Sequence, residues 1–241
     1  MLCNCLLCIL VMRDHLKMLT IISFQIYEDS LLKASAQFGP LSVEVENKLK
    51  ELDAMIQDCL ERMAQTRMDE LVNFIILSDH GMTYGANPSI QQHNIPNFPY
   101  EKHTVRYVSM EAALRPVGRH VRMVIGDGAY AMVYPKSLKM TGKIVEALRM
   151  TLKGVEIYER DQIPEHLHWK QSKYCPPILV LASPGTVIQK ATGQHQRPQL
   201  TSMEYYDEYY GGPLPGKPGI SGYDPQEMDM RGIFMARGPG I

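Results

Sequence analysis

Apolar residues along the chain fall into short runs separated by glycine, proline and charge. Leu19 to Tyr27 (LTIISFQIY) is rich in β-branched and aromatic residues and predicts a buried strand. Phe38-Gly39-Pro40 interrupts the pattern. Ser42 is then placed to cap a helix, with Glu44 and Glu46 complementing the positive end of its dipole. Leu49, Leu52, Ile56, Leu60 and Met63 recur at helical spacing, so one face of residues 43–66 is expected to pack on a core. Leu71 to Leu77 (LVNFIIL) is the next run and stops at Ser78-Asp79-His80-Gly81. Strand, long helix and strand in succession read as a βαβ unit, which joins parallel strands and covers them with helix.

The polar stretch Tyr84 to Arg119, with Asn87-Pro88, Ile95-Pro96 and Phe98-Pro99, reads as a surface excursion. Strands are predicted at Val121–Ile125 and Ala129–Tyr134, joined by the hairpin-type turn Gly126-Asp127-Gly128. Met140, Ile144, Val145, Leu148 and Leu152 predict a second helix, with Gly154 closing it in the C′ role. Strands at Val155–Tyr158 and Ile178–Leu181 follow, then a loop-like region over 184–220 that holds Tyr205, Tyr206, Tyr209 and Tyr210. Gly232 to Ala236 reads as a last buried strand, and no internal repeat is visible. The expected fold class is therefore α/β, a mostly parallel sheet flanked by helices.

Residues 1–18 form an uncertain N-terminal segment. Leu2 to Met12 is apolar but well short of the ~20 residues that span a bilayer. No Lys or Arg precedes it and no small-residue cleavage site follows cleanly, so a strand or an arbitrary start is preferred to a signal peptide.

Composition narrows the function classes. The chain has 241 residues, 45% hydrophobic and 21% charged, which excludes a disordered chain. Lys plus Arg number 25 against 26 Asp plus Glu, which argues against nucleic acid or an anionic membrane as partner. Five cysteines without regular spacing form neither a disulfide framework nor a zinc ribbon.

Asp79-His80 is the sharpest chemical feature. A carboxylate and an imidazole suit a divalent metal, and they stand where the chain leaves a predicted strand at its carboxyl end, the edge at which open α/β sheets place ligands. Two residues alone also fit a simple turn, because a catalytic zinc usually has three protein ligands. Weaker candidates are His166 and His168, expected in a structural or substrate-lining role, Asp224 as a loop support, and the tyrosines at 205–210, read first as a packed or mobile loop and second as a binding surface. Gly126-Asp127-Gly128 lacks the lysine and following helix of a phosphate loop.

Several anchors then fall in order. Leu77-Ser78-Asp79-His80-Gly81-Met82 resembles the metal-binding segment of the nucleotide pyrophosphatase/phosphodiesterase family, a branch of the alkaline phosphatase superfamily. Phe38-Gly39-Pro40 with Ser42 resembles the G-P-x-S before that family's long helix. Ile163-Pro164 with Leu167-His168-Trp169 resembles its I-P-x-x-L-H-aromatic segment. Gly222-Tyr223-Asp224, Met228 to Phe234 and Gly238-Pro239 resemble its H-G-Y-D…D-M-R-x-I-F…G-P run. The resemblance spans roughly residues 19 to 241 as a partial phosphodiesterase-like domain with an incomplete alkaline-phosphatase-like fold.

The resemblance implies two zinc ions beside a threonine nucleophile, hydrolysis of phosphodiester or pyrophosphate bonds in nucleotides or choline-type lipids, and an extracellular or membrane-associated setting. Asp79 and His80 match two ligands of one zinc. That site's aspartate and the nucleophile are expected upstream of Met1. The second site departs from the family: a gapless alignment places Leu31, Leu32 and Ala36 at its proline, aspartate and histidine, and Ser221 at the histidine before Gly222-Tyr223-Asp224. A shifted reading through Asp29 needs a three-residue insertion and still supplies no histidine; His93, His103 and His195 are the remaining loop candidates. The expectation is a family hydrolase by descent that is inactive as given. The alternatives are a catalytically dead relative serving as a binding module and a truncated fragment.

Overall fold

The computed structural model describes residues 6–13, 21–84, 106–189 and 219–241. It opens with strands β1 (Leu6–Arg13) and β2 (Ile21–Glu28), then helices α1 (Ser30–Phe38) and α2 (Val43–Gln65). Strands β3 (Val72–Leu77), β4 (Thr83–Tyr84) and β5 (Arg106–Ser109) follow, with the short helix α3 (Met110–Leu114). Next come β6 (Val121–Ile125), β7 (Tyr130–Pro135), α4 (Thr141–Thr151), β8 (Val155–Glu159) and β9 (Ile178–Ala182). Strands β10 (Thr186–Gln189), β11 (Gly219–Ile220) and β12 (Phe234–Arg237) complete the described elements.

The α/β class with flanking helices holds, and the strand directions refine it. One sheet has the order β12-β3-β1-β2. The crossover from β2 through α2 does return β3 in the same direction as β2. However, β1 lies between them and runs antiparallel to both. The parallel strands of the predicted βαβ unit are therefore separated by one slot, and that sheet's ladders are antiparallel. A second sheet, β6-β7-β9-β8, is antiparallel throughout. Parallel pairing occurs between β5 and β10.

Two strands expected to be buried are edge strands instead. On β2, Phe24, Ile26 and Tyr27 are all more than half exposed. The last strand begins two residues later than expected and exposes Phe234 and Met235. Periodicity marked both as strands, but a strand at a sheet's rim has a neighbour on one side only, which a single sequence does not reveal.

Helix α2 forms as its pattern dictates. The Ser42 hydroxyl accepts the Val45 amide at 3.3 Å, and Ile56, Cys59, Leu60 and Met63 pack against Phe74 and Ile76 of β3. Ser42→Ala should cost about 1 kcal/mol, the usual value of a helix cap, read as a lower denaturation midpoint with an unchanged denaturant slope. The main core lies under the second sheet, where Ile144, Val145 and Leu148 of α4 meet Val133, Ile178 and Val180. The turn Gly126-Asp127-Gly128 links β6 to β7 as expected, both glycines having positive φ (94° and 71°). Strand β10 lies within a region expected to be loop, and Gly128 exchanges backbone bonds with its Ile188 at 2.8 and 2.7 Å.

Candidate functional site at the end of β3

Strand β3 alternates buried and half-buried residues up to Leu77 and delivers Ser78-Asp79-His80-Gly81 at its carboxyl end, where the sequence placed them. A second segment holds this turn. The Ser78 amide donates to the Ile233 carbonyl (3.0 Å), the Gly81 amide donates to the Met230 carbonyl (2.9 Å), and the Ser78 hydroxyl accepts the Ile233 amide (2.9 Å). Gly81 is required sterically, since a Cβ there would overlap the Asp229 carbonyl.

Within the turn, an Asp79 carboxylate oxygen (Oδ1) accepts the His80 amide at 2.9 Å. His80 Nδ1 lies 2.7 Å from the Gly81 carbonyl. That contact requires Nδ1 to carry a proton, which in a neutral imidazole leaves the lone pair at Nε2. Nε2 is 3.8 Å from Asp79 Oδ1, and both side chains reach solvent, at 34% and 51% exposure. Such an outer hydrogen bond to a backbone carbonyl is how metal-binding histidines are oriented. The pair fits two corners of a zinc site. Among the described residues, however, no group of three or more His, Cys, Asp or Glu side chains gathers to hold a metal. A zinc site needs more ligands than this pair.

The chain matches the sequence model of the type I phosphodiesterase / nucleotide pyrophosphatase family over residues 25–207. It belongs to that family. Among curated proteins, it is 26% identical over 208 residues to ectonucleotide pyrophosphatase/phosphodiesterase family member 7 of Homo sapiens, covering 85% of this chain and 37% of that protein. It is 24% identical over 140 residues to bis(5'-adenosyl)-triphosphatase enpp4 of Xenopus laevis, covering 58% of this chain and 26% of that one. Among solved structures, human ectonucleotide pyrophosphatase/phosphodiesterase 5 superposes with a TM-score of 0.61 at 21% identity, over 85% of this chain and 44% of that one. An inactive form of the murine protein in complex with AMP gives the same values. The chain thus spans less than half the length of the relatives it matches.

Leu31, Leu32 and Ala36, expected to stand at part of the family's second metal site, lie on α1, whose nine residues are too few for the periodicity to reveal. Leu32 and Ala36, one helical turn apart, are 7% exposed and pack on Met82, directly after the Asp79-His80-Gly81 turn. Leu31 is buried against Val45 and Leu52 of α2. Asp29 stands at the start of α1 and pairs with Lys33 at 2.9 Å. Strand β11 ends one residue before Ser221 and runs close to α1: a Cβ on Gly219 would collide with the Ser35 carbonyl and the Met82 sulfur. Tyr84, next to β4's Thr83, accepts the Leu41 amide on its hydroxyl at 3.2 Å, and burial pushes its phenol pKa up.

The loop candidates are only partly brought together. His166 Nε2 meets both carboxylate oxygens of Asp224, at 2.8 and 3.1 Å, joining segments 58 residues apart. Asp224 also accepts the Gln226 amide, so it supports its loop as expected. His168 takes a left-handed conformation (φ 49°) and shares no bond with that pair. Tyr223, between Gly222 and Asp224, is buried and donates to the Thr186 carbonyl at 2.9 Å; burial pushes its pKa up to about 12. His93, His103, His195 and the tyrosines at 205–210 lie outside the described residues. Among the described residues no helix is long and apolar enough to cross a membrane.

Proposed function

We propose that this protein is a zinc-binding member of the phosphodiesterase family that keeps half of a two-metal site and does not turn over phosphodiesters. Asp79 and His80 are the zinc ligands in this reading. Zinc bound there would act as a Lewis acid toward a phosphoryl oxygen. The ligand class is a nucleotide or other phosphodiester small molecule, in line with the relatives' names, and the setting is extracellular or membrane-associated. One observation supports the loss of activity: Leu32 and Ala36, the residues expected at two of the second cation's ligand positions, pack with Met82 in an apolar cluster. Apolar side chains donate no lone pair, and two-metal catalysis needs both cations to stabilise attacking and leaving oxygens.

Zinc stoichiometry and turnover of bis(p-nitrophenyl) phosphate test this. The expected result is at most about one zinc per chain, at least tenfold weaker binding in Asp79→Ala, and no hydrolysis above buffer. Near two zinc ions per chain, or hydrolysis abolished by Asp79→Ala, would overturn it.

A further inference from the structure

A cleft far along the chain from the Asp79 turn has its own chemistry. It measures about 360 Å³ and lies between β5 with the start of α3 and the end of α4. Its lining includes Arg106, Tyr107, Ser109, Thr151 and Lys153, with two cations and, among the described residues, no carboxylate. Neither Arg106 nor Lys153 forms an ion pair among the described residues.

The Arg106 side chain passes close over a glycine. Gly154 has φ 74°, and a Cβ there would touch Arg106 at 3.0 Å and overlap the Thr186 hydroxyl. The missing side chain therefore makes the bed on which Arg106 lies, beside its ladder partner Thr186. The Ser109 oxygen accepts the Ala112 amide at 3.2 Å, which leaves its O–H proton available to donate into the cleft. Tyr107, 38% exposed, adds an aromatic wall. The Thr151 hydroxyl is already committed to the Ala147 carbonyl at 3.1 Å.

We infer that this cleft binds a small phosphomonoester carrying a flat ring, its phosphate on Arg106, Lys153 and the Ser109 hydroxyl and its ring against Tyr107. Charge-assisted bonds to a phosphate are the strong kind, and arginine's fork suits a tetrahedral anion. The inference does not rest on zinc at Asp79 and His80.

The test uses the full chain in EDTA, so that no divalent cation at Asp79 and His80 can hold phosphate. Inorganic phosphate and phenyl phosphate are titrated by 31P NMR, and phosphatidic-acid vesicles are assayed by co-sedimentation. Saturable binding is expected for both small probes, tighter for phenyl phosphate. Arg106→Gln and Lys153→Gln, both at exposed positions, should each weaken it at least tenfold with unchanged far-UV circular dichroism, and Tyr107→Ala should erase the advantage of the ring. Absence of saturable binding, binding that survives both charge substitutions, or binding to vesicles without binding to the small probes would overturn the proposal.

Discussion

Leu32→Asp should be among the most damaging single substitutions in the first half of the chain. Leu32 is 7% exposed and packs with the apolar Ala36 and Met82, so the introduced carboxylate would be buried beside apolar side chains. A buried charge without a partner costs about 3–5 kcal/mol, or roughly 10 °C in melting temperature for a domain of this size. The pH dependence follows in sign. Burial raises the folded pKa of the introduced carboxyl above its unfolded value near 4. Its ionised form is then tolerated only in the unfolded chain, so the deficit against the parent grows as pH rises past about 4 and shrinks toward acid. Thermal melts from pH 3.5 to 7.5 measure both. Melting at the parent's temperature throughout would mean that α1 does not present Leu32 to this cluster. The triple variant Leu32→Asp, Ala36→His, Ser221→His adds the two imidazoles that the family alignment places beside that carboxylate. Added zinc should raise its melting temperature by more than it raises the parent's, since a ligand stabilises the state that binds it. An equal effect of zinc on both would count against the alignment of α1 with a metal site.

Gly81→Ala is the second large effect. The added methyl would run into backbone, the Asp229 and Arg231 carbonyls, so rotamer changes cannot relieve it. Forcing a methyl into a filled space costs about 1–3 kcal/mol. Relief requires residues 229–231 to move away, which would break the Gly81 to Met230 hydrogen bond. The variant should unfold at lower denaturant, and amide exchange at Ser78 and Ile233 should accelerate together. Accelerated exchange at Ser78 alone would show that the two segments are not mechanically joined.

The sequence reading succeeded where local pattern and physics coincide. Helix α2 has both a cap and an apolar stripe, and structure follows within a residue or so at each end. Strand β3 and the turn after it were legible because an apolar run ends abruptly in Ser-Asp-His-Gly. What stayed hidden was relational. Nothing in Leu6–Arg13 announces that it slots between β2 and β3, so the predicted parallel neighbours are separated. Nothing in ISFQIY or FMAR states that each ends a sheet. Helix α1 offers only Leu31, Leu32, Ser35 and Ala36 as buried positions, too few for a periodic signal. The His166 to Asp224 bond joins two weak candidates, each legible as a residue type and neither legible as a pair. In the cleft, Arg106 and Lys153 come from separate elements, and nothing local in either segment announces that they line one cleft.

The clasp between residues 78–81 and 230–233 has a temporal side. The turn that carries the acid and the imidazole cannot close until a stretch about 150 residues further on has been synthesised and has docked, because that stretch supplies its hydrogen-bond acceptors. Contacts across so long a loop form late and slowly in folding. A nascent chain therefore carries an unfinished turn while about 150 further residues are made, and any cation captured early would be met by a pair of side chains not yet set in place.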